Sequence, residues 1–143
     1  MGARIVELGT STNGAIMGAK NIGDVRAVAV PVEDQDKAID FYVNSLGLEL
    51  HMDAVVGGQL RWVEVAAPGA SNSIALVQAG PELPSGIDTG IRLISTNAVA
   101  DHAALAAAGV DMASELLLWD GAPPMFEFRD PDGNTLYVSE QFG

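Results

Sequence analysis

From Val25 onward, apolar and polar positions fall into a pattern that changes period and then repeats. Val25–Val32 alternates as a strand and carries Pro31 near its end. Asp34 stands where a helix N-cap is wanted, and Ala38, Ile39, Tyr42, Val43 and Leu46 fall on one side of the helix that follows. Gly47 is placed to end it. Three strand-like runs come next: Leu48–Val56, Leu60–Ala66 after the Gly57-Gly58 turn, and Ser73–Gln78 beyond Pro68-Gly69. A second pass reads the same way. Gly90–Ser95 is a strand, Asn97 caps a helix running to about Ala108, Gly109 stops it, and strands follow near Val110–Leu118, Met125–Arg129 and Thr135–Glu140.

Superposing the two passes by their breaks gives a repeat of about 62 to 63 residues, with Asp34 on Asn97, Leu46-Gly47 on Ala108-Gly109, Pro68 on Pro131 and Asn72 on Asn134. The expected fold is α+β, two tandem βαβββ units: a first unit over 24–79, a Gly/Pro-rich linker over 80–87 and a second unit over 88–143. Each half has too small an apolar face to stand alone, so the two must share a sheet or a core. Residues 1–23 are rich in Gly, Ser, Thr, Asn and Ala, with one alternation at Arg4–Leu8. They read as a loosely held arm that adds a strand, or as cloning residue.

Two segments carry a family resemblance: "VPVEDQDKAIDFYVNSLGLEL" and "FRDPDGNTLYVSE". Together with the paired units they resemble the vicinal oxygen chelate superfamily, which includes glyoxalase I, extradiol dioxygenases, methylmalonyl-CoA epimerases, fosfomycin-resistance enzymes and bleomycin-binding proteins. The resemblance covers residues 25 to 140 and implies that the sheets curl into a cup. It also implies, for the metalloenzymes, one metal ligand on the first and one on the last strand of each unit. The last of these is a Glu four residues after the glycine of the Asp-Pro-x-Gly turn. Four after Gly133 is Tyr137, whereas Glu140 is seven after and points to the opposite face. The other three positions fall on Ala27, Ala75 and Gly90, which carry no donor atoms. The shifted register Arg26, Thr89, Ile74 and Leu136 is no better. The expectation is therefore no metal and no cofactor.

Strand parity then sorts the cup. Val63 and Val65 suit the helix side and leave Trp62, Glu64 and Ala66 for the cup; Phe126 and Phe128 likewise leave Met125, Glu127 and Arg129. Ala29 and Val77 join them, and Arg92 and Ile94 do so because Ile91 and Leu93 take the helix side. Glu64, Glu127, Arg92 and Arg129 have two readings. In one they neutralise one another, since a charge pair 4 Å apart is worth about 4 kcal/mol at an effective dielectric near 20. In the other a Glu is a general base and Arg92 an oxyanion partner, with Tyr137 beside them. Trp62 and Met125 read equally as packing or as a ligand-stacking surface, and Trp119 as a roof over the cup or a core anchor. His102 reads as solvated in mid-helix, and His51 lies on a strand of either face.

Composition narrows the function classes. Seven Lys and Arg against nineteen Asp and Glu give a formal charge of −12, which argues against nucleic acid and anionic membranes as partners. With no cysteine among 143 residues, disulfides, thiolate metal sites and cysteine nucleophiles are excluded, which fits a cytoplasmic setting. No run approaches the roughly 18 apolar residues of a membrane span. No Gly-rich nucleotide loop precedes a helix, and no Ser, His and Asp set suggests a triad. Two functions remain. One is metal-independent binding of a small organic molecule in an apolar cup, similar to bleomycin-resistance sequestration. The other is a cofactor-independent lyase or isomerase on a carbonyl or polyketide-like substrate. A homodimer is expected by the resemblance, because relatives complete their cups across a two-fold axis.

Overall fold

The computed structural model describes residues 18–142. The alternation at Arg4–Leu8, and with it the expected extra strand, lies outside them. Strand β1 (Ala27–Val32) leads through Asp34 into α1 (Gln35–Asp40), and β2 (Glu49–Val56), β3 (Leu60–Ala66) and β4 (Ser73–Gln78) follow. The second pass is β5 (Asp88–Ser95), α2 (Ala98–Ala107), β6 (Asp111–Met112), β7 (Met125–Arg129) and β8 (Thr135–Glu140). No helix among the described residues is long and apolar enough to cross a membrane.

Each pass makes its own four-stranded sheet, ordered β1-β4-β3-β2 and β5-β8-β7-β6. The first and last strands of each unit run parallel and the remaining pairs antiparallel. The helix starts follow their caps: the Asp34 side chain accepts from Lys37 N and Asn97 from Ala100 N. Gly47 and Gly109 end the helical segments at φ of 77° and 80°, where a side chain would be strained.

Two expected elements differ. The first helix does not run evenly to Leu46: Phe41–Ser45 form a π-helical turn in which Leu46 N reaches back to Phe41 O at 3.1 Å. The strand expected over Val110–Leu118 pairs only at Asp111–Met112, with one isolated bridge from Leu117 to Met125. There Ala113 N and Ser114 N both converge on Glu127 O, so the ladder loses its regular step.

The helix-facing sides of the two sheets share one core. Val30, Val32, Val63, Val65, Ile74 and Leu76 meet Phe126, Phe128, Leu136 and Val138, with Phe41, Tyr42 and Leu105 between them. A polar clasp crosses this core. Tyr42 OH donates to Asp130 Oδ2 at 2.8 Å, and Asn134 Nδ2 donates to Pro31 O at 2.7 Å. Asp130 also accepts from the backbone of Asp132 and Asn134 and from Asn134 Nδ2, while Asn134 Oδ1 takes the Gly86 and Ile87 N–H groups. Burial and the neighbouring Asp130 carboxylate push the Tyr42 phenol far above its ordinary pKa. The Asp-Pro-Asp-Gly-Asn turn thus joins the two units.

Candidate functional site

The register places three residues of each unit in a row on the face away from the helices, called here the far face. In the first unit the row is Ala29, Ala75 and Glu64 across β1, β4 and β3. In the second it is Arg92, Tyr137 and Glu127 across β5, β8 and β7. These are partners under the repeat, so the two rows can be compared atom for atom.

In the first row the carboxylate is spoken for. Trp62, two residues earlier on the same strand face, donates its indole N–H to Glu64 Oε2 at 2.6 Å, and Arg26 Nη2 lies 3.1 Å from the same oxygen. Glu64 is 3% exposed. The Trp62 hydrogen bond holds its carboxyl below the usual range against the opposing push of burial, helped by Arg26 and Ser73. Two expectations need correction here. The cation facing Glu64 is Arg26, outside the expected lining, rather than Arg92 or Arg129. Trp62 acts as a donor to Glu64, and a carboxylate fixed in this way is poorly suited to being a general base. Ala75 is buried beside Ala29, and Ala27 is half-buried beside Ser73.

The second row is open. The Arg92 guanidinium lies 4.2 Å above the Tyr137 ring, and its Nη1 donates to Gly90 O at 2.8 Å. Tyr137 OH donates to Asp88 Oδ2 at 2.7 Å, while Asp88 Oδ1 accepts from Gly90 N. These two bonds hold Asp88 below the usual carboxylate range, the phenol contributing most. The same Asp88 bond is the chief reason the Tyr137 phenol is pushed up to about 12. The half-buried Glu127 carboxylate has no hydrogen-bond or charge partner among the described residues. Its Arg neighbours are engaged elsewhere: Arg129 faces Asp111 at 3.4 Å and Arg92 stacks on Tyr137. The expected mutual neutralisation of the Glu and Arg set does not form. The repeat explains why. Thr89 and Met125 stand where Arg26 and Trp62 stand in the first unit, and Thr89 gives its hydroxyl proton to Thr135 O.

Beside this row Ile94, paired with Ser139, is 75% exposed, and in the segment after Leu117, which bridges to Met125, Leu118 is 67% and Trp119 58% exposed. Trp119 is therefore no core anchor, and Met125 is half-buried opposite Ser139. Neither histidine joins the row. His51 sits at the bulge between Leu50 and Met52 and faces Glu49 at 3.2 Å. His102 is not solvated as expected: its ring packs edge-on against Phe126, and Nε2 is buried without a partner.

Glu140 lies off the row, as strand parity requires, and Oε1 accepts from Ala98 N at 3.0 Å at the start of α2. Of the positions that the resemblance assigns to a metal, Ala27, Ala75 and Gly90 offer no donor and the Tyr137 phenol is engaged by Asp88. These residues do not fit a divalent ion. No group of three or more His, Asp or Glu placed to hold a metal occurs among the described residues.

Asp88, which completes the second row, has no role in the expected cup, and Arg26, which completes the first, figures there only as an alternative metal position. Arg26 precedes β1 with the parity of core-side Val30 and reaches Glu64 only through its long side chain, and Asp88 opens β5; neither position carries a signal that spacing marks. A third feature is a crevice of about 550 Å³ between the units, on the core side of β5.

With the geometry described, comparison with known proteins defines the class. The profile of the Glyoxalase/Bleomycin resistance protein/Dioxygenase superfamily matches residues 25–138, and the chain belongs to that superfamily. It is similar to the crystal structure of TnmS3, an antibiotic binding protein from Streptomyces sp. CB03234, at 33% identity and a TM-score of 0.75, covering 87% of this chain and all of that one. A superfamily member from Sphaerobacter thermophilus DSM 20745 is similar at 33% identity and a TM-score of 0.77, over 84% of this chain and 98% of the other. The uncharacterized protein YetH of Bacillus subtilis (strain 168) is 26% identical over 125 residues, 83% of this chain and 99% of its own.

Proposed function

We propose that this protein binds a small organic molecule without a metal, on the far face of the second unit, and sequesters it. The reading rests on the open row itself: a guanidinium stacked on a tyrosine, with exposed Ile94 next to it on β5 and exposed Leu118 and Trp119 in the segment that follows the Leu117–Met125 bridge. An apolar face with a few fixed polar groups suits an apolar or aromatic ligand. Exposed apolar side chains in such number call for a cover, and a second copy in a homodimer supplies it. The likeness to TnmS3, described as antibiotic binding, supports the same class of ligand. The test is native mass spectrometry of protein from its own host, before and after chelator, with released molecules identified. A metal-free dimer carrying an organic ligand that survives incubation unchanged is expected. Retained divalent metal, one per site, overturns the reading.

A second reading follows from Glu127, whose carboxylate is unpartnered next to Tyr137. As a general base, with Arg92 stabilising an enolate oxygen, it would make the protein a cofactor-independent lyase or isomerase. Conversion of the released ligand by the parent protein and its loss in Glu127→Gln would establish this reading over sequestration.

A further inference from the structure

We infer that the chain carries a second ligand site, adjoining the far face across the edge strand β5, whose Arg92 and Ile94 border both: the crevice between the two units, which takes a compact apolar molecule bearing one ammonium group. Its walls come from Leu48, Val65 and Ile74 of the first unit and Leu93, Leu105 and Val138 of the second, enclosing about 550 Å³. That volume lies in the range of small-molecule sites, about 300–1,000 Å³.

The repeat shows why the space exists. At the corresponding place on the other side of the molecule stand Phe41, Tyr42 and Asp130; at the crevice their partners are Ala104, Leu105 and Ala67. Phe41 and Tyr42 are buried, and the Tyr42 hydroxyl reaches Asp130 at 2.8 Å, so ring and clasp fill their side. Leu105 and Ala67 leave that volume empty. The counterpart hollow, lined by Phe41 and Asp130, is the smaller of the two at about 370 Å³. The crevice is thus a built asymmetry between two otherwise similar halves.

Its polar end selects the ligand. Asp101, in the first turn of α2, accepts from Ser95 Oγ through Oδ2 at 2.5 Å, and Oδ1 has no protein partner among the described residues. An ammonium group placed there meets a carboxylate beside an apolar wall, on a protein whose charge of −12 draws cations. Arg92 also lines the crevice, but three residues away along β5, about 10 Å from Ser95, with its guanidinium turned onto Tyr137 and Gly90 O.

The test is calorimetric titration of the full chain with 1-adamantylamine and, as a charge-reversed control, adamantane-1-carboxylate. The amine binds and the carboxylate does not. Ala104→Phe, which copies the ring present at Phe41, abolishes binding, and Ala70→Leu on the opposite wall does the same if the first variant fails to fold. Asp101→Asn weakens the amine about fivefold. No amine binding at millimolar concentration overturns the proposal. So does binding that survives both filling variants.

Discussion

Glu64 and Glu127 hold the same place in two copies of one strand, yet one is closed in by its neighbours and the other faces outward alone. The backbone does not make the difference, because both sit in equivalent cross-strand rows. The difference comes from two positions beside each carboxylate. Where the first unit has Arg26 and Trp62, both donors, the second has Thr89 and Met125, of which one donates elsewhere and one cannot donate. The two frames are alike, and a few substitutions close one carboxylate into the structure and leave the other without a partner among the described residues.

The sharpest break in that comparison lies at the clasp. Asp130→Ala removes a 4%-exposed carboxylate that accepts four hydrogen bonds, and a loss of about 3–5 kcal/mol by urea denaturation is expected. Its repeat partner is already Ala67, so Ala67→Gly should cost far less. A smaller but more direct contrast is Glu64→Ala at about 1–2 kcal/mol against Glu127→Ala within about 0.5 kcal/mol. Equal losses would mean that the donors around Glu64 contribute nothing net.

The pH dependence sharpens the same pair. Because the folded state lowers the Glu64 pKa, its contribution is present above the unfolded carboxylate value near 4.3 and is lost as pH falls through the depressed folded value. The urea midpoint of the parent protein should drop on going from pH 6 to pH 3, and Glu64→Gln should flatten part of that slope. Smallest of all is the Tyr137 titration. With its phenol pushed up to about 12, absorbance at 295 nm should show one tyrosine ionising late but measurably, and Tyr137→Phe should remove that step. Ionisation near 10 would mean that the Asp88 bond is absent in solution.

Much of this frame is legible in the sequence because it depends on period and punctuation. Leu60–Ala66, Ser73–Gln78, Met125–Arg129 and Thr135–Glu140 are bounded by turns whose residues declare themselves, and parity alone turns Val63 and Val65 inward. The π-helical turn is not legible, because its cause is a reach-back from Leu46 and Leu48 that no spacing rule marks. Nor are the partners of the charged residues. Which cation meets Glu64 depends on how far a side chain from β1's entry can swing across β4, and the repeat pattern contains no such distance. The crevice is hidden for a similar reason: Ala67, Ala104 and Leu105 are unremarkable singly and make a void only when three elements bring them together.

The clasp also bears on how the chain is made. Tyr42 waits for Asp130, 88 positions later, and the Pro31 carbonyl waits for Asn134, 103 positions later. At a synthesis rate of about 5–20 residues per second, that is a delay on the order of 5–20 s. In the later part of it, once Gln78 is made, the first unit is wholly translated yet has no partner for a buried hydroxyl and a buried carbonyl. A chain truncated before residue 130 should therefore be open to protease between α1 and β2, and the full chain, with β8 in place, should be closed there.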